Sequence, residues 1–197
     1  LNLIKSKKNK LLKVKCKIIN NCREDIVFTT GSTNGPKGVI VSENSFVHVA
    51  KLLNKKFKQS EKDHELLSMP FDHSFGLARL RCCLLSGSRG TITQGMSNFP
   101  KVFQYILKDP ITGLSLVPAG IVILRKMLKL NVKRIAKELK YFEIGSSSIC
   151  IETRIWLKKN FHSTKILHHY GMTEASRSFL KERGNRDDLR KPINEIG

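Results

Sequence analysis

Short apolar runs alternate with amphipathic stretches along most of this sequence, and that alternation limits the possible folds more than any single residue does. Residues 25–30 (DIVFTT) read as a buried strand. Ser42 then offers an N-cap oxygen to a helix whose apolar positions Phe46, Val49, Ala50 and Leu53 recur at helical spacing. Residues 66–69 form a strand closed by Pro70, residues 77–85 a helix ended by Gly87, and residues 91–93 a strand. The helix over 99–107 stops before Asp109-Pro110, because a residue preceding proline disfavours the α region. Residues 113–117 are a strand, and Pro118, tolerated in a first turn, opens a helix that runs to Leu128. A strand over 139–144, a helix over 152–161 and a strand over 165–168 complete the series, and the charged stretch 181–191 reads as loop. Strands spaced by helices imply βαβ units, so the expected class is α/β with a mainly parallel sheet. Ligands of such sheets gather beyond the carboxyl ends of the strands. Three segments combine that expected position with unusual composition: 29–38, 145–148 and 169–175.

Composition closes off several alternatives. With 40% hydrophobics and 13 glycines in 197 residues, the chain is roughly 47% apolar, the usual value for a folded globular domain. At this length it can bury a core without disulfide or metal staples. The longest apolar stretch, 113–124, is too short to span a bilayer and is broken by Pro118. No secretory apolar region opens the sequence. The five cysteines (Cys16, Cys22, Cys82, Cys83 and Cys150) form no C-x-x-C pair and no even framework. They are expected as free thiols of a reducing cytoplasm.

Charge is the most conspicuous feature, at 36 Lys plus Arg against 16 Asp plus Glu, a net +20. Residues 1–23 hold eight of those bases and no acid, and read as a basic tail or partial element ahead of a domain over 24–197. Elsewhere the excess is scattered, which fits a solvated surface better than a designed nucleic-acid face. Few aromatics interleave with the bases, so no platform for stacking single strands is visible, and no specific nucleic-acid partner is expected.

The segment Thr29-Thr30-Gly31-Ser32-Thr33-Asn34-Gly35-Pro36-Lys37-Gly38 carries the clearest chemistry. Glycines let a backbone approach a polyphosphate, hydroxyls donate to its oxygens, and a lysine supplies charge. It is not a Walker A loop, since Pro36 stands at the second-glycine position and Gly38, not Ser or Thr, follows the lysine. It resembles instead the phosphate-binding signature of the class I adenylate-forming superfamily, [ST]-[ST]-G-[ST]-[ST]-G-x-P-K-G, with Asn34 at a glycine position; Asn tolerates positive φ best after glycine. Three further segments resemble the family's motifs in the same order. Met69-Pro70-Phe71-Asp72-His73-Ser74-Phe75-Gly76-Leu77 is similar to P-x-F-H-x-x-G-L, with Asp72 where an aromatic is usual. Gly145-Ser146-Ser147-Ser148-Ile149 is similar to G-G-A-P-L, with Ser148 in place of the proline. His169-Tyr170-Gly171-Met172-Thr173-Glu174-Ala175 is similar to Y-G-x-T-E. Ser74, His73 and Asp72 are not a hydrolase triad, because adjacent residues seldom meet as nucleophile, base and orienter and no G-x-S-x-G elbow exists.

The resemblance spans roughly residues 25–197 and carries definite expectations. It implies that Thr29, Thr30, Gly31, Ser32, Thr33, Gly35 and Lys37 grip the β- and γ-phosphates of ATP. Gly145, Ser146 and Ser147 would line the adenine and acyl pocket, Tyr170 and Gly171 the adenine, and His73 and Gly76 the carboxylate pocket. Thr173 would contact the α-phosphate and Glu174 ligate Mg2+, with Lys37, Thr173 and Glu174 the catalytic set. The implied fold is the central part of the large domain of an adenylate-forming ligase, truncated at both ends and lacking the small C-terminal lid with its catalytic lysine. The implied activity of the full-length form is activation of a carboxylic acid, of the fatty-acid type, as acyl-AMP for transfer to coenzyme A. The chain alone is then expected to bind nucleotide and not to turn over, with a complementary chain that supplies the lid as an expected partner. Two rival readings are a catalytically inactive scaffold of the same fold and a basic nucleic-acid-binding protein.

Overall fold

Residues 64–67, 113–116 and 141–144 are short runs buried on both faces, and each is followed by a helical segment able to cover it. The computed structural model describes residues 3–5, 11–13, 24–29, 36–93, 95–128, 131–145 and 147–182. Strands β1 (Leu3–Lys5) and β2 (Leu11–Lys13) pair antiparallel, as do β3 (Glu24–Thr29) and β4 (Lys37–Ser42). Then follow α1 (Glu43–Phe57), β5 (His64–Leu67), α2 (Ser74–Ser86), β6 (Arg89–Ile92), a 3-10 turn at Gly95–Asn98, α3 (Phe99–Lys108) and β7 (Gly113–Leu116). The chain continues through α4 (Pro118–Leu128), α5 (Val132–Glu138), β8 (Tyr141–Ile144), α6 (Ile151–Asn160), β9 (Lys165–Tyr170) and β10 (Phe179–Glu182).

Local signals account for many of these boundaries. The Ser42 side chain accepts the Ser45 N–H and opens α1, which buries Ala50, Leu53 and Phe57 on one stripe. Helix α2 stops at Gly87, whose φ of +71° is left-handed. Asn98 caps α3 by accepting the Lys101 N–H, and α4 begins on Pro118.

Six strands form the main sheet in the order β10-β9-β8-β7-β5-β6. All neighbours are parallel except β10, which pairs antiparallel with β9 at the edge. The α/β class with a mainly parallel sheet therefore stands. The chain passes from β5 outward to β6, returns across β5 to β7, and then proceeds through β8 to β9. The direction of winding reverses between β5 and β7, the position at which open α/β sheets form a ligand crevice.

The two sides of the sheet differ in chemistry. Leu66, Leu114, Leu116, Phe142, Ile144 and Ile166 share an apolar cluster with α3, α4, α5 and α6. On the side facing α1 and α2, Tyr141 and Leu167 pack with Leu53, Phe57 and Cys82. That side also buries Glu65 and Glu143, which pair with Arg79 of α2.

Several expectations need correcting. The segment over 29–38 does not follow a strand of the parallel sheet: β3 and β4 are a separate antiparallel hairpin, with Thr29 opposite Lys37. Residues 37–42 form a strand that takes in Lys37 and Gly38 of the expected loop; Val39 and Val41 are half-buried while Ile40 points out. Residues 179–182 form β10, which takes in Lys181 and Glu182 of the expected loop; the remainder of 181–191 lies outside the described residues.

Candidate functional site

Three of the four singled-out segments lie beyond the carboxyl ends of β5, β8 and β9, on one edge of the sheet. Past β5, Ser68 Oγ donates to the Ser115 carbonyl of β7 at 3.0 Å and ties the two strands that flank the winding reversal. Helix α2 then begins hard against this loop. A Cβ on Gly76 would lie 2.1 Å from the Pro70 carbonyl oxygen, so only glycine permits the approach. His73 stands exposed at the N-cap of α2; its side chain makes no cap bond, and its carbonyl accepts the Leu77 N–H at 3.1 Å.

Past β8, Gly145 is buried with the His169 ring against it; a Cβ there would lie 2.1 Å from Cε1. Ser147 is exposed, and its carbonyl oxygen lies 3.2 Å from His168 Nε2. Ser146 lies outside the described residues.

Past β9 the chain turns sharply. Met172 and Ala175 exchange two backbone hydrogen bonds, each 3.2 Å, which places Thr173 and Glu174 at the tip of a closed turn. Thr173 is half-buried and Glu174 exposed. A Cβ on Gly171 would come within 2.5 Å of the Arg177 nitrogen, so this loop also closes around a glycine. Tyr170, at the end of β9, keeps 48% of its surface open, with its ring 6.3 Å from that of Phe179 on β10.

At the hairpin, Thr29 Oγ1 donates to the Lys37 carbonyl at 3.4 Å, and Lys37 is exposed. Thr30, Gly31, Ser32, Thr33 and Gly35 lie outside the described residues. A cavity of about 50 Å³ separates the hairpin from the sheet edge, lined by Val27 and Val41 of the hairpin, Ser45, Phe46 and Val49 of α1, Ser74, Ala78 and Arg81 of α2, and Thr173 and Ser176. Arg81 pairs with Asp25 and stacks over Phe46 at 3.8 Å, pinning β3 to both helices. The structure thus brings Thr173 to the base of the hairpin. It does not pair Lys37 with Glu174, since no ion pair joins them among the described residues.

The residues that sequence reasoning missed lie beneath this edge. Arg79 donates from Nε to Glu65 Oε1 at 2.7 Å and from Nη2 to Oε2 at 2.5 Å, and its Nη1 lies 3.4 Å from Glu143 Oε2. Glu65 also accepts from Tyr141 Oη at 2.9 Å and Ser115 Oγ at 3.2 Å. Arg177 Nε donates to Glu143 Oε1 at 3.1 Å, and His169 Nδ1 lies 2.8 Å from the same oxygen. Burial alone would raise the Glu143 pKa, but Arg177, His169 and Arg79 outweigh it and hold the carboxyl well below the usual range. Burial would likewise lower the Arg79 pKa, yet Glu65 and Glu143 keep it raised and the guanidinium charged. The available signal was a glutamate inside each of two apolar strand runs, HELL and YFEI, and an arginine on the buried stripe of α2 with Phe75, Ala78 and Cys82. Such charges are rarely buried without partners.

Among the described residues no cluster of three His, Cys, Asp or Glu could hold a metal, and no helix is long and apolar enough to cross a membrane.

Comparison with known proteins gives a consistent result. The family described as AMP-binding enzyme matches residues 16–197. The D-alanine--D-alanyl carrier protein ligase of Bacillus licheniformis is 26% identical over 152 residues, covering 77% of this chain and 30% of that protein. Gramicidin S synthase 2 of Brevibacillus brevis is 31% identical over 160 residues, covering 76% of this chain and 3% of that protein. In fold, the chain is similar to o-succinylbenzoate CoA synthetase from Bacillus subtilis, solved with ATP and magnesium, at a TM-score of 0.69 and 21% identity over 80% of this chain and 32% of that one. ATP-bound MatB from Rhodopseudomonas palustris gives a TM-score of 0.69 at 23% identity, covering 82% of this chain and 31% of that one. The chain spans about a third or less of the length of each of these relatives.

Proposed function

This chain belongs to the AMP-binding enzyme family, and from that premise we propose that it forms the nucleotide- and acid-binding part of a ligase that activates a carboxylic acid with Mg·ATP. The observation that carries the reading is the closed turn beyond β9. It sets Thr173 and Glu174 at its tip, with Thr173 on the cavity that Val27 and Val41 of the β3–β4 hairpin also line.

The residues present fit the ligand. An exposed carboxylate at a turn tip suits a hard divalent cation that completes its shell with phosphate oxygens and water. Bound there, Mg2+ supplies charge neutralisation at the phosphates. Lys37 and the hydroxyl- and glycine-rich segment between β3 and β4 hold the β- and γ-phosphates. Tyr170 offers an open ring face to adenine, the backbone at Gly145 and Ser147 lines the base and acyl pocket, and Thr173 donates to the α-phosphate. His73, free at the N-cap of α2 beside the winding reversal, borders the acid's carboxylate, and Gly76 lets α2 approach that loop. One carboxylate oxygen attacks the α-phosphorus, the bond to the bridging oxygen breaks, and acyl-AMP and pyrophosphate result. A thiol then displaces AMP. We assign the acid to the fatty acids and the acceptor to coenzyme A, in a reducing cytoplasm that suits free Cys82, Cys83 and Cys150.

Calorimetric titration of the chain with ATP, with and without Mg2+, tests the reading. Saturable heat that depends on Mg2+ supports it. Equal heats in both, or none from folded protein, reject it.

A further inference from the structure

Arg177 makes contacts that no surface-loop residue would need. Its side chain is 1% exposed although it sits in the connection between β9 and β10. Nε donates to Glu143 Oε1 at 3.1 Å, Nη1 to the Ser74 carbonyl at 3.0 Å and Nη2 to the Phe75 carbonyl at 3.0 Å. Nη1 also reaches Ser176 Oγ at 3.1 Å, and the guanidinium lies 5.1 Å from the Phe75 ring centroid. Its backbone takes a φ of +57°, a left-handed conformation that costs a non-glycine residue energy and persists where surrounding contacts fix it. Gly171 packs on the Arg177 nitrogen so closely that no side chain fits between them.

Three segments meet at this one group. Glu143 stands two residues before Gly145, Ser74 and Phe75 directly follow His73, and Arg177 closes the loop that carries Thr173 and Glu174. We infer that Arg177 is a positioning residue that clamps the Tyr170–Glu174 loop to the start of α2 and the end of β8, and so fixes the nucleotide-binding loop relative to the acid pocket. The inference rests on the Mg·ATP reading for its consequence, though the clamp itself does not. Arginine suits the task because a planar fork donates in several fixed directions at once, whereas lysine presents a point charge. A buried ion pair with no further role would move global stability alone; a clamp must also move the geometry of the loops it joins.

The test uses the whole chain as wild type, Arg177→Ala and Arg177→Lys, with Arg177→Ala also measured in a few millimolar guanidinium chloride. Amide hydrogen exchange is read over residues 171–178, 73–77 and the strands β5, β7 and β8, together with the Kd for Mg·ATP. In Arg177→Ala, exchange in the first two segments is expected to accelerate by at least about 10-fold while the strands keep wild-type rates. The Kd should rise by about 10-fold or more, the usual scale for losing a group that orients ligand-binding residues. Guanidinium ion restores both values, and Arg177→Lys restores neither fully. Where Arg177→Ala does not fold, Arg177→Lys carries the test through the same two readouts. Wild-type protection in both segments, or acceleration that is uniform over loops and strands, overturns the clamp. If wild-type protein does not bind Mg·ATP, the proposed function fails, and the exchange measurements still decide on the clamp.

Discussion

The His169 ring occupies the space that a side chain at Gly145 would need: a Cβ there would stand 2.1 Å from Cε1 and 2.3 Å from Nε2. The ring is in turn fixed edge-on against Phe75, with centroids 4.6 Å apart, and beside Glu143. Gly145→Ala is therefore expected to destabilise the fold by about 1–3 kcal/mol, the usual cost of overpacking a filled site. His169→Ala in the same chain should relieve part of that cost. Urea unfolding of both single variants and the double variant measures the coupling, expected at about 1 kcal/mol or more. Additive costs would show that the ring yields freely and that the contact is soft.

The cluster around Glu143 gives stability a definite pH dependence. Its folded pKa lies below the ordinary 4.5, because Arg177, His169 and Arg79 around the carboxyl outweigh burial. A depressed carboxyl contributes stability that is complete above its unfolded pKa and is lost as pH falls toward the folded value. The loss from this group is thus expected below about pH 4.5. Glu143→Gln should lower stability at pH 7 by about 3–5 kcal/mol by leaving buried guanidinium charge uncompensated, and should flatten the acid limb of the profile. Chemical denaturation between pH 3 and 7 checks both effects; an unchanged acid limb would assign the slope to other carboxylates.

This same cluster marks where the sequence was hard to read. Helix α4 was legible to the residue, from Pro118 to Leu128, because proline favours a first turn and the apolar stripe is continuous. Strand β5 was expected over 66–69 and lies at His64–Leu67, since a histidine and a glutamate argue against a buried strand until Arg79 and Tyr141 are known to meet the glutamate. Helix α5 escaped notice because VKRIAKE buries only Ile135 and Ala136. Strand β10 requires the reversal closed by Met172 and Ala175, a tertiary event with weak local signature. The motif segments stand out by composition, but the pairing of Thr29 with Lys37 outside the parallel sheet and the contacts of Arg177 depend on partners distant in sequence.

Thiol reactivity should follow burial. Burial is the chief reason that the Cys82 and Cys83 thiols are pushed up to about 12, whereas Cys150 is exposed. At pH 8 an alkylating reagent is expected to modify Cys150 well ahead of Cys82 and Cys83, because the thiolate is the nucleophile. Peptide mapping by mass spectrometry gives the order. Early modification of Cys82 in folded protein would contradict the packing of α2 against α1.

The basic excess should bind polyanions without reading sequence. With eight bases and no acid in residues 1–23, phosphate neutralisation by that segment should make log K fall linearly with log salt. Deleting 1–23 is expected to remove most of the slope, measured by fluorescence anisotropy with duplexes of unrelated sequence. A sequence-selective complex that survives the deletion would instead favour a nucleic-acid-binding protein.

Tyr170 and Glu174 sit four residues apart on one loop, yet their substitutions should separate cleanly. Tyr170 offers a half-open ring at the end of β9, so Tyr170→Ala removes a stacking face. The Kd for ATP is expected to rise by the equivalent of about 1–3 kcal/mol, with and without Mg2+ alike. Glu174 is exposed at the tip of the turn closed by Met172 and Ala175, whose backbone bonds do not involve its side chain. Glu174→Gln therefore keeps the shape of the loop and removes the charged metal ligand. ATP without Mg2+ should bind this variant as it binds wild type, while the gain in affinity on adding Mg2+ should largely disappear. Titrating both variants over a range of Mg2+ concentrations distinguishes the two effects. If Glu174→Gln retains the full Mg2+ dependence, the cation is held elsewhere and the metal assignment is wrong; if Tyr170→Ala leaves both affinities unchanged, adenine does not stack on that ring.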